Sequence, residues 1–327
     1  MAHVVPALLG VRGSIDHLLP ESVILQQLTR LGIGFRERLL PPARVVRLFL
    51  LQILFGNTSM THLPQLAGFR FAVSSYCQAR LLLPLCLLRC LLRWTLEQAR
   101  SIAALKGASP RVLLVDCTSF SMPDTPALRK QFGLPKSRGG KPGVSYPVAK
   151  MMALLDLASG CFIRWIPGQL YQHEASGVVR LHRKLQKGDI LVGDRAFCSF
   201  VHVAMLQARE VFACFRLHQL RRSVARGIEQ WKRPPKAPRW MSAAQFATLP
   251  LQLCVRIVRY RVDHKGYRSR EFAIATTLMD ESLWPDAKIA ELYGHRWNIE
   301  TFHPYCLHCH SFDKSDGQGL GHFRSAA

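Results

Sequence analysis

Leucine and other apolar residues recur at helical spacing through the first third of the chain. The pattern runs from about Ser22 to Lys106 and is interrupted at Pro41-Pro42, Gly56-Asn57 and Pro84. Because proline and glycine interrupt regular helices, this pattern predicts a bundle of short helices. We therefore expect residues 1–107 to form an all-α N-terminal domain.

From Arg111 onward, short apolar runs rich in β-branched residues replace the helical spacing. Runs of this kind, bounded by turn residues, are typical of buried strands. Strand hairpins are followed by helix, strand, helix and strand, an order that predicts a mixed α/β sheet with helices on its faces, as in the RNase H-like fold. The predicted strands are 112–120, 149–157, 161–169, a run ending at Asp194, and 211–217, and the predicted helices are about 174–186 and 199–209.

A second strand-rich stretch follows, and it is markedly basic. Strands are predicted at 255–262 and 269–277 around a turn at His264-Lys265-Gly266. This stretch separates the mixed sheet from a last predicted helix, so we expect it to be a β-rich insertion. The predicted segments are the N-terminal helical domain 1–107, the RNase H-like core 108–220, the insertion 221–280, a helix within 281–303 and an atypical tail 304–327.

Three carboxylates stand where they could share metal ions. Asp116 and Asp194 each end an apolar strand, which places them at the rim of a sheet. Tyr293, Arg296 and Glu300 are spaced three and four residues apart, so one face of the last helix carries all three. Because hard divalent cations prefer oxygen ligands, the pattern predicts a two-metal site of Asp116, Asp194 and Glu300.

The net charge of the chain points to a polyanionic partner. Its formal value is +23 and the isoelectric point is near 10.2, with arginine spread along the whole chain. Nucleic acid is the simplest partner, although a membrane surface or a ribosome would leave the same mark. The most apolar stretch, 81–94, is too short to span a bilayer and contains charged residues. With no secretory signal pattern, the ten cysteines are expected to be mostly free thiols in a reducing cytoplasm.

Several other residues invite a functional interpretation that we do not adopt. Asp124, Asp156 and Asp189 stand beside turns or strand ends, where aspartate commonly bonds to its own backbone. Trp231 and Trp240, in a basic segment, could stack on an unpaired base. Core packing or anchoring of the segment is the favoured interpretation for both, because large aromatic side chains mostly serve burial.

Together, these segments resemble the DDE transposases of the insertion-sequence-4 family of bacteria. The resemblance covers most of the range from Ser75 to Phe302. No single segment is specific to this family. The order of the segments and the β-rich gap before the last one make the combined resemblance specific. The segments are Ser75-Tyr76-Cys77-Gln78-Ala79-Arg80, Val115-Asp116 through Ser121-Met122-Pro123-Asp124-Thr125, Gly193-Asp194-Arg195-Ala196-Phe197-Cys198-Ser199, Phe215-Arg216-Leu217-His218-Gln219, and Leu292-Tyr293 through Glu300.

The resemblance implies an activity and a cofactor. Asp116, Asp194 and Glu300 would be the catalytic residues and would hold two Mg²⁺ ions, for which Mn²⁺ would substitute. The reaction would be DNA strand cleavage and strand transfer at the ends of an insertion sequence, as in cut-and-paste transposition. Two metal ions suit this chemistry because they stabilise both the attacking and the leaving oxygen of a phosphodiester.

The resemblance also implies the partners. Tyr293, Arg296 and Arg195 are expected to bind DNA phosphates, and the N-terminal helices would hold the transposon end. The DNA partners would be inverted-repeat transposon ends and target DNA. Two copies of the chain would form a dimer in a paired-end complex. The expected location is the bacterial cytoplasm, in association with the nucleoid and not with a membrane.

After Phe302 the sequence departs from this family. Leu307 stands where the family has lysine, and Pro304 would break the helix that follows Glu300. We therefore expect a truncated or frameshifted copy, and we interpret the cysteine and histidine cluster of residues 303–310 as tail sequence rather than a zinc site. Three alternatives stay open: a catalytically impaired DNA-binding copy that is inert or inhibits a full-length transposase, a stand-alone nuclease of the same fold, and a basic RNA-binding protein.

Overall fold

The computed structural model describes residue 13 and residues 15–104, 110–135, 146–172, 174–217, 226–262 and 270–296. Glu300, the predicted turn at His264-Lys265-Gly266 and the tail 304–327 lie outside the described residues. The described chain divides into two compact units, one ending at Ser101 and the other beginning at Ile102. No helix among the described residues is long and apolar enough to cross a membrane. The described cysteines form no disulfide.

The first unit contains helices only, within its described residues. Pro42 begins the second helix, where a missing backbone N–H costs nothing, and Gly68 ends the third in the left-handed conformation with φ 75°. Ile24, Leu28 and Leu87 belong to its main apolar cluster. The helices are α1 (Glu21–Arg30), α2 (Pro42–Leu54), α3 (Leu63–Ala67), α4 (Val73–Leu81) and α5 (Leu85–Ala104).

The second unit is built on strands with a few helices between them. The strands are β1 (Val112–Ser121), β2 (Val148–Asp156), β3 (Cys161–Gln169), β4 (Ile190–Gly193), β5 (Phe212–Arg216), β6 (Gly227–Lys232), β7 (Gln252–Val262) and β8 (Arg270–Thr276). The helices are α6 (Pro126–Phe132), α7 (Glu174–Val178), α8 (Phe200–Gln207), α9 (Ala243–Ala247) and α10 (Asp286–Gly294), with 3-10 turns at Val179–Lys184 and Arg195–Phe197.

The eight strands of the described residues form one sheet, in the order β3-β2-β1-β4-β5-β8-β7-β6. Strands β1, β4 and β5 run parallel to one another. Strand β2 pairs antiparallel with β1, and β3 pairs antiparallel with β2. The predicted mixed α/β sheet with helices on its faces is confirmed. This arrangement brings the carboxyl ends of β1, β4 and β5 to the same edge.

The sheet has a separate apolar core on each face. Successive strand residues point to opposite faces, so Leu113 and Val115 join one core while Leu114 joins the other. Helix α8 packs on the first face through Phe200 and other apolar residues. Helix α10 packs on the second face through Ile289 and its neighbours. These faces are called the α8 face and the α10 face below.

The basic segment predicted as an insertion extends this same sheet. Strand β8 bonds to β5, β7 to β8, and β6 to β7, all antiparallel. The predicted strands 255–262 and 269–277 correspond to β7 and β8. Trp231 on β6 is only 3% exposed and lies in the core of the α8 face, as its packing interpretation expects.

One predicted helix differs from the structure in length, and another can be compared with it only in part. The helix expected at about 174–186 is the short α7 followed by a 3-10 turn. The helix expected to carry Tyr293, Arg296 and Glu300 corresponds to α10, which begins after Pro285 and extends to Gly294. After a turn at His295, Arg296 is again helical, and Glu300 lies outside the described residues. The described residues therefore compare this prediction with the structure for Tyr293 and Arg296 only.

Candidate active site

The register of two parallel strands sets Asp116 beside Asp194. The last bonded pair of β1 and β4 is Val115 with Gly193, so Asp116 is the next residue of β1 and Asp194 directly follows β4. Asp116 does not end its strand as predicted, because β1 continues to Ser121 alongside β2. The backbone of Asp194 is still extended, with φ −76° and ψ 174°. Because neighbouring strands lie about 4.8 Å apart, the two carboxylates are side by side at the rim.

Both aspartates lie on the α10 face. Asp116 is two residues beyond Leu114, and Asp194 is two residues beyond Val192, and both of these apolar residues belong to the core of that face. Two-residue periodicity therefore directs both carboxylates to the side where α10 packs. Each aspartate is partly exposed, so the pair is accessible at the edge of the core.

Helix α10 and the turn directly after it bring Tyr293 and Arg296 to the same place. Their side chains are 1% and 5% exposed, and the Arg296 guanidinium carbon lies 6.0 Å from the centre of the Tyr293 ring. Burial raises the pKa of Tyr293 above its ordinary value, the positive charge of Arg296 opposes that rise, and the negative charge of Asp194 adds to it. Tyr293 is therefore a neutral phenol, able to donate a hydrogen bond to an anionic oxygen.

The donor set suits a divalent cation. Oδ1 of Asp194 is buried and accepts no hydrogen bond from the described residues, which leaves it available as a ligand. Asp116 adds a second carboxylate beside it. Within the described ranges no group of three or more histidine, cysteine or acidic side chains could hold a metal, and Glu300, the predicted third ligand, lies outside them. The described part of the site thus fits Mg²⁺, which prefers oxygen ligands.

Gly193 allows the strand to pass close to its neighbours just before Asp194. A Cβ atom at this position would lie 2.8 Å from Cγ1 of Val115, 2.9 Å from Cδ2 of Phe197 and 3.2 Å from Cε1 of Phe215. Real Cβ atoms do not approach other heavy atoms so closely, so a larger residue would displace these side chains. Glycine is required here by packing.

Arg216 is a site residue that the sequence prediction did not assign a role. Gly193 pairs with Phe215 in the parallel register of β4 and β5, so Arg216 is in register with Asp194. Asp116, Asp194 and Arg216 thus form a row across three adjacent strands. The positive charge of Arg216 acts on the pKa of Tyr293, which it lowers. A basic residue at the end of the strand after Asp194 was the available sequence signal.

An aromatic pair lies beside Arg216, two residues along β8 from its registered partner Ile274. The Arg216 guanidinium lies 4.7 Å from the centre of the Phe272 ring, and Phe272 stacks on Tyr260 with 5.5 Å between ring centres. Phe272 and Tyr260 are opposite each other on β8 and β7. The α10 face of the rim therefore carries two acids, a guanidinium and two aromatic rings in sequence across the sheet.

Arg195 is placed apart from the other predicted phosphate-binding residues. It lies in the 3-10 turn after Asp194 and lines a cleft of about 980 Å³, together with Lys150, Glu174 and Trp240. This cleft is on the α8 face, because its wall includes the start of α8. The structure thus brings Tyr293 and Arg296 towards Asp194, and it places Arg195 on the opposite side of the sheet.

The remaining aspartates have structural partners. Asp189, at the start of β4, accepts a hydrogen bond of 2.9 Å from Nε of Arg111, at the end of the sheet opposite to Asp194. Asp156 accepts a 2.6 Å hydrogen bond from the Ser159 hydroxyl in the hairpin between β2 and β3. Asp124 forms an ion pair with Arg129 at the start of α6. None of these acids faces the row of Asp116 and Asp194.

Comparisons with known proteins identify the class of protein that this sheet and its carboxylates belong to. Residues 107–323 match the family described as the transposase DDE domain. The match covers most of the chain, and the chain belongs to this family. Comparison with curated proteins found no match.

Two solved structures are similar to part of the chain. One is the Mos1 transposase paired-end complex with left transposon end, at 12% identity and a TM-score of 0.22, and the other is a pre-cleavage Mos1 transpososome, at 12% identity and 0.19. Each likeness covers 57% of this chain and 64% of the Mos1 chain. At these TM-scores the likeness supports no conclusion about function.

Proposed function

We propose that this chain is a DNA transposase of the insertion-sequence-4 group, which cleaves DNA at the ends of an insertion sequence and joins the ends to target DNA. The observation that carries the proposal is the parallel register that sets Asp116 beside Asp194 at the sheet rim, in a chain of the DDE transposase family. Paired carboxylates at a rim are the ligands required for metal-assisted phosphodiester chemistry.

Asp116 and Asp194 are proposed to hold divalent cations, with Glu300 as a third ligand. When bound there, Mg²⁺ would activate a water or a DNA 3′-hydroxyl as the nucleophile and would stabilise the leaving oxygen. Oδ1 of Asp194 is buried and accepts no hydrogen bond from the part of the chain that the structure describes. This supports the assignment, because a buried carboxylate oxygen without a hydrogen bond is costly unless a ligand satisfies it.

Arg216, Arg296 and Tyr293 are proposed to hold the scissile phosphate. Arg216 lies in register with Asp194, and Arg296 lies against the Tyr293 ring. Guanidinium groups bind phosphate oxygens with two parallel hydrogen bonds, and the neutral Tyr293 phenol can donate another. Holding the phosphate in line with the attacking oxygen lowers the activation barrier by fixing orientation.

The high positive charge supports DNA as the partner. A net charge of +23 neutralises many phosphates and releases their counterions. We propose that the N-terminal helical unit contributes to binding the transposon end and that two copies assemble on two ends. A cytoplasmic location follows from this function and is part of the proposal.

Cleavage of a defined DNA end tests the function. The substrate is a duplex made from the DNA that borders the gene, with Mg²⁺ or Mn²⁺ added. Asp116→Asn, Asp194→Asn and Glu300→Gln are each expected to reduce the cleavage rate at least about a hundredfold and to leave DNA binding nearly unchanged. Asp124→Asn is the matched control, because Asp124 pairs with Arg129 away from the rim. Full cleavage by Asp194→Asn would show that the carboxylate row is not the active site.

A further inference from the structure

A pair of buried histidines lies directly beneath the turn that follows Asp194. His182 and His202 are 1% and 0% exposed, and their Nε2 atoms are 2.9 Å apart. Nδ1 of His202 is 2.7 Å from the carbonyl oxygen of Phe197, the last residue of that turn. The pair is on the α8 face, behind the strand end that presents Asp194 on the other face.

The hydrogen bonds of this pair have a defined direction. A carbonyl oxygen can only accept, so Nδ1 of His202 carries a proton and donates to Phe197. Burial lowers the pKa of His202 to about 4, and burial together with the neighbouring histidine lowers the pKa of His182 to about 2. Both rings are therefore neutral near pH 7, so Nε2 of His202 accepts from Nε2–H of His182.

Phe197 transmits this contact to Asp194. The backbone N–H of Phe197 donates to the backbone oxygen of Asp194 at 3.0 Å. The Phe197 ring fills the space that the missing side chain of Gly193 leaves open. The His202 ring also stacks on Phe215, with 5.2 Å between ring centres and 17° between planes. The turn is thus bonded to His202 on one side and to Asp194 on the other.

The direction of the Asp194 carboxylate depends on this turn. Its Oδ1 atom accepts no hydrogen bond from the described residues, so that atom is not oriented by a neighbouring side-chain donor. Because the Phe197 N–H is bonded to the backbone oxygen of Asp194, a shift of this turn would move the backbone that carries the carboxylate. Nδ1 of His182 is buried and also unpartnered within the described residues, which is unfavourable in a core. Burying the His182–His202 pair is therefore costly. A requirement for the hydrogen bond from His202 to the turn would explain why the pair is nevertheless buried here.

We propose that His202 is a positioning residue, which holds the turn after Asp194 through its Nδ1–H bond to Phe197 and thereby aims the Asp194 carboxylate into the cation site. The inference rests on the proposed function of that carboxylate. His182 has a supporting role, since its donated hydrogen bond fixes the tautomer of His202. Groups that orient ligands in this way typically change metal affinity when removed.

Two amide substitutions separate the hydrogen bond from simple packing. In His202→Asn the amide nitrogen is as many bonds from Cα as Nδ1, so it can still donate to Phe197. In His202→Gln the amide corresponds to Nε2, so the bond to His182 can remain and the bond to Phe197 is lost. Both variants remove the ring and one of two hydrogen bonds. Leu206→Ala, on the same helix but in the apolar core, is a control for loss of stability alone.

The full chain is titrated with Mn²⁺ by electron paramagnetic resonance, and amide hydrogen exchange is followed in the peptide of residues 194–199. We expect His202→Gln to bind Mn²⁺ about tenfold more weakly than the parent and His202→Asn to stay within about threefold of it. Exchange in the turn peptide should be faster in His202→Gln only. Leu206→Ala should lower the melting temperature and leave the Mn²⁺ affinity unchanged.

Equal affinity and equal exchange in the two histidine variants would overturn the inference, and so would an affinity loss in Leu206→Ala as large as that in His202→Gln. Failure of the proposed function has a different signature, because Asp194→Asn would then bind Mn²⁺ as well as the parent does. In that case the exchange measurement still decides whether His202 holds the turn.

Discussion

Arg256 on β7 donates a hydrogen bond to Asp286, the first residue of α10. Arg256 is only 2% exposed, and its Nη1 atom also donates to the Trp284 carbonyl at 2.7 Å. The negative charge of Asp286 is favourable at a helix N-terminus as well. This contact fixes the start of helix α10, and the last turn of that helix places Tyr293 near Asp194.

Removing one partner of this buried pair is expected to destabilise the second unit. Asp286→Asn should lower the free energy of unfolding by about 2 kcal/mol, because the buried Arg256 charge would keep only the exposed Glu281 carboxylate, 3.7 Å from its Nε, as a counter-charge. Urea unfolding followed by circular dichroism measures the change. Lys187→Ala is the control, because the side chains of the Lys187–Glu210 ion pair are 76% and 63% exposed. Removing this pair should lower the free energy of unfolding by less than about 1 kcal/mol.

Gly193→Ala is expected to impair both stability and cleavage. The added methyl group would overlap Val115 and Phe197, and overpacking of this kind costs about 1–3 kcal/mol. Displacement of Phe197 would also move the turn after Asp194, so the cleavage rate should fall further than the loss of folded protein explains. Gly294→Ala is the matched control, because a Cβ atom there meets nothing within 4 Å. Equal behaviour of the two variants would contradict this account.

The free energy of unfolding should decrease as the pH falls below about 6.5. In the unfolded chain a histidine has a pKa of about 6.5, whereas burial lowers the folded pKa of His202 to about 4 and that of His182 to about 2. Below pH 6.5 the unfolded chain therefore binds protons that the folded chain does not. Each histidine contributes a loss of about 1.4 kcal/mol per pH unit between its unfolded and folded pKa.

Urea unfolding at pH 7, 6 and 5 measures this slope. Arg209, whose charge also lowers the pKa of His182, is the charged neighbour of the pair. The double variant His182→Leu/His202→Leu removes both groups and should show a shallower dependence on pH in the same range. A slope that the double variant does not change would place the sensitivity elsewhere.

Arg216→Gln is expected to reduce DNA cleavage more than DNA binding. One arginine among many adds little affinity, whereas a guanidinium in register with Asp194 can hold the scissile phosphate. We expect the cleavage rate at saturating DNA to fall by at least about tenfold, with affinity changed by less than about threefold. Arg164→Gln makes the same change of charge on the edge strand β3, away from the acids, and should cleave at the parent rate.

Binding to duplex DNA should weaken steeply as the salt concentration rises. Each neutralised phosphate releases counterions, so the logarithm of the affinity falls linearly with the logarithm of the salt concentration. Fluorescence anisotropy between about 50 mM and 200 mM salt should show a loss of at least about a hundredfold. A flat dependence would remove the electrostatic basis for assigning DNA as the partner.

Local pattern was sufficient to predict most of the strands. Strand β3 was predicted and found at 161–169, because apolar runs and the turn before Cys161 are local signals. The position of Asp194 directly after a strand followed from the same signals, whereas the prediction that Asp116 ends its strand was wrong, because β1 continues to Ser121 through its pairing with β2. The start of α10 after Pro285 was also local, since proline favours the first turn of a helix.

Residues far apart in sequence were brought together by strand pairing, which no local pattern encodes. The role suggested for Arg216 depends on the register of β4 with β5. The placement of Asp116 beside Asp194 depends on the register of β1 with β4. The sequence likewise did not show that Arg195 lies on the α8 face, because a turn after the strand redirects the chain. Residue types and strand ends were thus determined by the sequence through local periodicity. The side-by-side placement of the acids and Arg216 was decided by the tertiary structure, because interstrand hydrogen bonds set the register.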